Sequence, residues 1–318
     1  MRRGGKPRPF KKHLSQNART AAHMTLIDLI TAQSARLKQA GVSFGHGTAN
    51  AFDESAWLVL WALGLPLDAL EAKAKKELTP DELAKAEALV TQRIDTRRPA
   101  AYLTNEAWLQ NVPFYVDERT IVPRSFIAEL LADGEGAGTL DAWLSDTTHS
   151  VLDLCTGNGS LAVIAALAYP EVTVDAADVS EDALAVARIN IDKHALSKRI
   201  TLLTSNLLSA VRGPYDLILC NPPYVNTQSM ESLPPEYQCE PALALAGGAD
   251  GMDLVRQILR EAPKHMTVDA VLVLEIGNER AHFEHAFRRL EVAWLETSAG
   301  DDQVLLVSRE ALAKYRWT

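Results

Sequence analysis

The chain has 318 residues, 47% hydrophobic and 23% charged, a composition typical of a globular protein whose length favours two domains. No apolar run reaches the roughly 20 residues of a membrane helix, and the basic N-terminus lacks the apolar stretch of a secretory signal, so we expect no membrane partner. The three cysteines are scattered without ligand spacing, which indicates free thiols, no metal site and a reducing, cytoplasmic location.

The net charge of -9 is unevenly distributed along the chain. Residues 1–23 contain seven Lys or Arg and no acid, so the remainder has 25 basic and 41 acidic residues. We predict a disordered basic arm over residues 1–23, because they show no apolar periodicity. The acidic body disfavours direct DNA binding, which needs a basic face, and favours a basic protein as partner.

Residues 24–98 show the apolar periodicity of helices. One stripe runs from Leu26 to Leu37, and Asp53 is the predicted cap of a second helix. Thr79-Pro80-Asp81-Glu82 is a capping box with proline at the first helical position. These stripes predict a small helical domain, and its place before the catalytic residues suggests that it binds the substrate.

Residues 99–125 consist of short β-type runs (AWL, PFYV and TIV) separated by prolines, which predicts a β-hairpin linker. Arg124 closes this linker, where it either faces the site or forms a surface ion pair, the commoner role for a single arginine. In the preceding segment, His46 lies in a glycine-containing loop, and we assign it no function.

Residues 126–318 alternate strand-like apolar runs with helical segments, as expected of an α/β domain with a mostly parallel sheet. Seven strands are predicted, beginning at Ser150–Leu154 and ending in an antiparallel hairpin around Gly300-Asp301-Asp302. The first strand runs into a glycine loop with Gly157 and Gly159, where the backbone approaches a ligand closely.

Acidic and polar residues after the first strands predict an adenosine site. Asp178 ends the second strand, nineteen residues beyond Gly159, where an acid accepts the two ribose hydroxyls. Asn206 and Leu207 follow the third strand and are expected to line the adenine pocket. The glycine spacing also fits a dinucleotide fingerprint, a weak signal that keeps an NAD oxidoreductase as an alternative. Asp153, placed to meet an amino-acid ammonium group, favours S-adenosylmethionine instead.

The uncharged run Leu217–Cys220 predicts a strand buried on both faces, followed directly by Asn221-Pro222-Pro223-Tyr224. The prolines stiffen this loop and hold Asn221 at the carboxyl end of the strand, where α/β sheets bind ligands. Asn-Pro-Pro is also a simple turn signal. The pattern nevertheless suits methyl transfer to a planar nitrogen. The Asn221 oxygen and the Pro222 carbonyl can accept hydrogen bonds from both N–H groups of an NH2 group, while the Tyr224 ring lies against the flat face of that group.

With these motifs placed, the chain after about residue 24 resembles the class I S-adenosylmethionine-dependent protein-glutamine methyltransferases. In this family a helical N-terminal domain and a hairpin precede a Rossmann-like seven-stranded catalytic domain, and the side-chain amide nitrogen of a glutamine is methylated. One branch acts on peptide-chain release factors and the other on the third large-subunit ribosomal protein. The strings FGHGTAN, AYLTNEAW, FYVDERTIVPRS and DLCTGNG are similar to the ribosomal branch.

The resemblance implies S-adenosylmethionine as cofactor and a basic large-subunit ribosomal protein as substrate. Release-factor methylation is the alternative, followed by amino-methylation of adenine in DNA and a non-enzymatic role in ribosome assembly. Asn206 stands where the family more often has Asp, which implies weaker cofactor binding at most. Carried over by position, the acceptor site is Asn221, Pro222, Pro223 and Tyr224, and the cofactor site is Asp153, Cys155, Thr156, Gly157, Asn158, Gly159, Asp178, Asn206, Leu207 and Asn221.

Overall fold

The computed structural model describes residues 24–131 and 139–317. The predicted basic arm over residues 1–23 lies outside the described residues. Within the described part of the chain, no single helix has the length and apolar character to span a membrane. One sharply bent pair of helices, Ala51–Ala62 with Leu67–Lys73, meets the length and composition criteria together.

The described residues form a helical region followed by a mixed α/β region. The strands are β1 (Ala107–Leu109), β2 (Val112–Phe114), β3 (Ser150–Leu154), β4 (Thr173–Asp178), β5 (Ile200–Thr204), β6 (Tyr215–Cys220), β7 (Met266–Glu275), β8 (Ala293–Thr297) and β9 (Gly300–Ser308). The α-helices are α1 (Leu26–Gln39), α2 (Ala51–Ala62), α3 (Leu70–Lys73), α4 (Pro80–Thr96), α5 (Ala100–Thr104), α6 (Ile127–Leu131), α7 (Ser160–Ala168), α8 (Glu181–Lys193), α9 (Thr227–Glu231), α10 (Pro235–Gln238), α11 (Asp253–Glu261), α12 (Arg280–Ala286) and α13 (Arg309–Lys314).

Side-chain caps define the ends of the N-terminal helices. The predicted capping box is confirmed at α4, where Thr79 accepts from the Glu82 amide and the Glu82 carboxylate accepts from the Thr79 amide. The predicted cap of α2 was wrong: Asn50, not Asp53, is the N-cap, and its side-chain oxygen accepts from two backbone amides of the first turn. Asp53 lies inside that turn, where an acid still interacts favourably with the helix dipole.

The linker is only partly extended. β1 and β2 form the predicted antiparallel hairpin, with Trp108 opposite Pro113. A short helix, α5, precedes the hairpin, and Thr120–Val122 was wrongly predicted to be β-structure. Those residues are held by individual contacts, such as the Tyr102 hydroxyl donating to the Thr120 carbonyl and the Val122 amide donating to Glu240.

The predicted seven-stranded sheet is confirmed, in the order β5-β4-β3-β6-β7-β9-β8. The first five strands in this order are parallel, and β9 pairs antiparallel with both β7 and β8. The strand order reverses between β3 and β6, which pair directly with Leu154 opposite Cys220. A reversal of this kind opens a crevice at the carboxyl ends of the strands, where α/β sheets bind ligands.

Both faces of the sheet are covered, as expected for parallel strands. Side chains from alternate positions of β3 enter different cores: Val151 packs with α7, whereas Leu152 and Leu154 pack on the opposite face with α11. The sheet is therefore rigid enough to hold the loops that follow its strands.

A buried arginine joins the helical region to the α/β region. Arg93 on α4 is fully buried and donates to Glu54 on α2 (2.8 Å), to Glu236 on α10 (3.2 Å) and to the Ser43 carbonyl (2.9 Å). Burial raises the pKa of Glu54 above its ordinary value, although the Arg93 guanidinium opposes this effect. Glu54 therefore depends on Arg93 for its cation, whereas Glu236 also lies 3.4 Å from the guanidinium of Arg97.

We expect Arg93→Ala to lower the free energy of unfolding by about 3–5 kcal/mol, because it leaves the buried carboxylate of Glu54 without its cation and Glu236 with the longer contact to Arg97. Arg256→Ala is the matched control, since Arg256 also pairs with two acids but is 39% exposed, and we expect a loss of about 0–1 kcal/mol. Chemical denaturation followed by tryptophan fluorescence measures both changes. Equal effects of the two substitutions would contradict the role assigned to Arg93.

Candidate active site

Two neighbouring cavities open at the crevice between β3 and β6. The first, of about 240 Å³, lies over the ends of β3, β4 and β5, and the second, of about 710 Å³, lies between the Asn221–Tyr224 loop and the helical region. Asn221 lines both cavities, as do Pro123 and Arg124 from the linker. We call them the cofactor cavity and the acceptor cavity.

Most of the sequence-predicted cofactor residues come together around the cofactor cavity. Its wall includes Cys155, Thr156, Gly157, Asn158, Asp178, Asn206, Leu207, Asn221 and Pro223. Their convergence follows from the parallel sheet, because each short loop leaves its strand at the same edge.

The glycine loop is held by its own backbone. The Thr156 amide donates to the Ala177 carbonyl at the end of β4, and the Gly157 amide donates to the Asp178 carboxylate at 2.9 Å. Gly157 has a φ of +55°, and a Cβ built there would meet nothing within 4 Å. Its backbone therefore faces open space, and a ligand can approach it closely.

Asp178 is bound at both carboxylate oxygens. One accepts from the Gly157 amide and the other from the Ser180 amide, each at 2.9 Å. Burial nevertheless raises the pKa of Asp178, because the backbone donors only partly offset the loss of hydration. Each oxygen retains lone-pair capacity toward the cavity.

Two predicted cofactor residues do not line the cavity. Asp153 is buried behind the loop, where one oxygen accepts from the Thr156 hydroxyl and from the Ala162 amide, and burial raises its pKa to about 7. Its other oxygen has no hydrogen-bond partner among the described residues. Its contact with a ligand ammonium group stays a prediction. Gly159 caps α7, and a Cβ there would lie 3.1 Å from the Cβ of Ala187, so this glycine permits close packing of α7 against α8.

The acceptor loop is anchored through Tyr224. Its hydroxyl donates to Glu275 at 3.2 Å, and Glu275 also accepts from the Ser125 hydroxyl and the Phe126 amide. Burial raises the pKa of both Glu275 and Tyr224, so the tyrosine stays a neutral donor. The ring is fixed and lines the acceptor cavity.

Three glycines surround Tyr224 so closely that a side chain would collide with it. A Cβ at Gly247 would lie 2.6 Å from the Tyr224 Cα, one at Gly251 2.2 Å from its carbonyl oxygen, and one at Gly277 2.4 Å from its ring. The position of the acceptor loop therefore depends on segments 23 to 53 residues further along the chain.

Arg124 faces the site, the less common of the two roles considered for it. Its guanidinium does not form a surface ion pair but binds both carboxylate oxygens of Glu240, at 2.6 and 2.8 Å, on the shared wall of the two cavities. Burial favours the neutral form of Glu240, but the charge of Arg124 and contact with His46 lower its pKa to about 2. His46 itself is buried, with Nε2 3.5 Å from Glu240.

Glu275 was not predicted as a site residue, although a signal was present. It ends the apolar run of β7, as Asp178 ends β4, and the same rule about strand ends applies to both. No comparable signal existed for Tyr237, whose ring lies 4.3 Å from that of His46 and lines the acceptor cavity.

The arrangement leaves hydrogen-bond acceptors free at the junction of the cavities. The Asn221 side chain and the Pro222 carbonyl make no hydrogen bond with any described residue, so both remain available to an incoming group. Asn221 is held by β6 behind it and by the two prolines after it. Such fixed dipoles orient a reacting group without reorganising.

Comparisons with known proteins identify the family. Residues 135–233 match the model of the Methyltransferase small domain. The ribosomal protein uL3 glutamine methyltransferase of Bordetella pertussis is 51% identical over 300 residues, 93% of this chain and 99% of that protein. The protein of the same name from Neisseria meningitidis serogroup B is 46% identical, over 94% and 98% of the two chains. Among solved structures, the hMettl16 catalytic domain in complex with MAT2A 3'UTR hairpin 6 is 13% identical, with a TM-score of 0.49, over 72% of this chain and 81% of that chain. The chain belongs to the family of ribosomal protein uL3 glutamine methyltransferases.

Proposed function

We propose that this methyltransferase transfers the methyl group of S-adenosylmethionine to the side-chain amide nitrogen of a glutamine in ribosomal protein uL3. The observation that carries the proposal is the position of Asn221, whose unbonded side-chain amide lies on the wall shared by the cofactor and acceptor cavities. A methyl donor in one cavity and an amide in the other meet at this residue.

The cofactor cavity fits S-adenosylmethionine in its chemistry. Asp178 offers acceptors to the ribose hydroxyls, and the open backbone at Gly157 admits the amino-acid portion. Asn206 and Leu207 line the same cavity and are assigned to the adenine ring. When bound, S-adenosylmethionine supplies an electrophilic methyl group on a sulfonium.

The acceptor loop, Asn221–Tyr224, orients the glutamine amide nitrogen, which is a weak nucleophile. An amide nitrogen has a delocalised lone pair, so it must be both oriented and enriched in electron density. The Asn221 oxygen and the Pro222 carbonyl accept hydrogen bonds from the two N–H groups of the substrate amide. The fixed ring of Tyr224 limits the plane in which that amide lies. Positioning of this kind supplies catalysis without a covalent nucleophile.

The substrate assignment rests on the relatives, which are named for uL3 and align with nearly the whole chain. A basic ribosomal protein also suits the acidic body of this chain. We therefore place the reaction in the cytoplasm, with residues 24–98 as the substrate-binding domain, 99–125 as the linker and 126–318 as the catalytic domain. No observation favours release factors or adenine in DNA.

The function is tested by offering purified uL3, a release factor and adenine-containing DNA in parallel to the enzyme with tritium-labelled S-adenosylmethionine. We expect label only on uL3, at one glutamine located by mass spectrometry and lost when that glutamine is replaced. Label on the release factor would replace uL3 as the assigned substrate. Label on DNA would show that the methyl acceptor is a base and not a protein amide.

We expect Asn221→Ala to lower kcat by about 10²–10³-fold, as removal of a preorganised polar group in an active site does. The dissociation constant of S-adenosylmethionine should change less than about threefold, because the cavity keeps its other walls. Methyl transfer and calorimetry measure the two effects. The control is Asn226→Ala, five residues further along, which removes a cap of α9 outside both cavities and should retain most activity. Near-normal turnover in Asn221→Ala would reject the mechanism.

For Asp178→Ala we expect S-adenosylmethionine to bind about ten- to a hundredfold more weakly, since hydrogen bonds to a charged group contribute about 1.5–3 kcal/mol. Asp175→Ala is the matched control on the same strand, because Asp175 accepts from the Tyr215 hydroxyl away from the cavity. Calorimetry compares the two variants, and unchanged affinity in Asp178→Ala would remove the ribose role.

A further inference from the structure

A third cavity, of about 320 Å³, continues from the acceptor cavity across the surface of the helical region. Gly47, Thr48 and Trp108 line both, so the two spaces adjoin. We call the third cavity the apolar groove. One face of α2 forms its floor, and its other lining residues are Phe52, Asp53, Ala56, Trp57, Leu60, Leu67 and Leu70.

Large apolar side chains are exposed along the apolar groove. Phe52 is 36% exposed, Leu67 37% and Trp108 43%, and all three line it. Isolated exposed apolar residues are ordinary on a protein surface, but a contiguous set in a concavity marks an interaction site. Trp108 is also oriented, because its indole N–H donates to Glu106 at 2.7 Å.

The loop that contains Gly47 and Thr48 separates the apolar groove from the acceptor cavity, and specific contacts hold it in place. Gly45 is so close to Tyr237 that a Cβ would lie 2.7 Å from the tyrosine hydroxyl, and Gly47 packs against the Trp57 ring. The Thr48 hydroxyl donates to Glu54. The loop is thus attached to the catalytic region at one end and to α2 at the other.

The segment that forms most of the apolar groove is acidic, although Lys73, Lys75 and Lys76 follow it directly. Residues 51–72, which include α2 and most of the groove lining, contain no Lys or Arg and four acids, namely Asp53, Glu54, Asp68 and Glu71. Glu54 is neutralised by Arg93 inside the protein, whereas Asp53, Asp68 and Glu71 are exposed. Asp53 lines the groove, and Asp68 and Glu71 each follow a lining leucine in sequence. This acidic rim favours a cationic partner with a bulky apolar side chain.

We propose that the apolar groove binds the substrate polypeptide beside the acceptor glutamine, with a bulky apolar side chain of the substrate lying between Trp108 and Phe52 and neighbouring Lys or Arg residues at the acidic rim. The inference rests on the proposed function, because it takes the occupant of the acceptor cavity to be a glutamine side chain. Because the acceptor cavity and the apolar groove adjoin, the substrate backbone attached to that glutamine passes Trp108. The helical region thereby recognises the protein, and the catalytic region recognises only the amide.

The test uses the full-length enzyme and intact uL3. We expect Trp108→Ala and Phe52→Ala each to raise KM for uL3 about five- to tenfold, in the range of truncated aromatic anchors, while kcat and the dissociation constant of S-adenosylmethionine stay unchanged. Trp143→Ala is the matched control, since Trp143 is 45% exposed and lines none of the three cavities. Circular dichroism confirms that each variant is folded.

A double-mutant cycle identifies the occupant. Bulky apolar residues flanking the acceptor glutamine of uL3 are replaced by alanine one at a time, and one replacement should add no further loss to Trp108→Ala. The inference would be overturned if every uL3 replacement added its full effect to that of Trp108→Ala, or if KM for uL3 were unchanged in both groove variants. In either case, methylation of uL3 by the wild-type enzyme would still support the proposed function. Self-association abolished by Trp108→Ala would instead assign the apolar groove to a second copy of this chain. Absence of uL3 methylation in the wild type would reject the proposed function itself.

Discussion

The site depends on the direct parallel pairing of β3 with β6. Because Leu154 lies opposite Cys220, the glycine loop and the Asn221 loop leave the sheet side by side. The strand order reverses here, so no crossover covers the crevice between them. The hydrophobic cores on both faces of the sheet keep this pairing rigid. A cofactor cavity and an acceptor cavity can therefore share Asn221 as a common wall.

Buried polar contacts then position the acceptor side. Glu275 accepts from Tyr224, from Ser125 and from the Phe126 amide, which ties the acceptor loop to the end of the linker. Glu240 binds Arg124 and lies beside His46, which ties the linker to the helical region. Each carboxylate serves several donors at once, and such a network specifies one arrangement only when its members are satisfied. The helical region thus forms part of the wall of the acceptor cavity.

Much of the site could be predicted because parallel α/β sheets follow strong local rules. Strand ends can be read from apolar runs, and polar residues at or directly after them, such as Asp178 and Asn221, converge at one edge whatever the details of packing. The capping box at Thr79 was equally readable, since its two hydrogen bonds join residues three apart. The choice of Asp53 as a cap failed because two polar candidates three residues apart, Asn50 and Asp53, differ only in where the helix begins.

The sequence by itself determined the sheet, the glycine loop and the acceptor loop, because strand burial and turn chemistry are local properties of the chain. Tertiary structure alone decided that Asp153 lies behind the glycine loop, because its contact with the Ala162 amide needs α7 packed against β3. It also decided that Arg124 pairs with a residue 116 positions away and that Trp108 stands between the acceptor cavity and the apolar groove. These contacts join distant segments, and no periodicity in the chain encodes the distance between them.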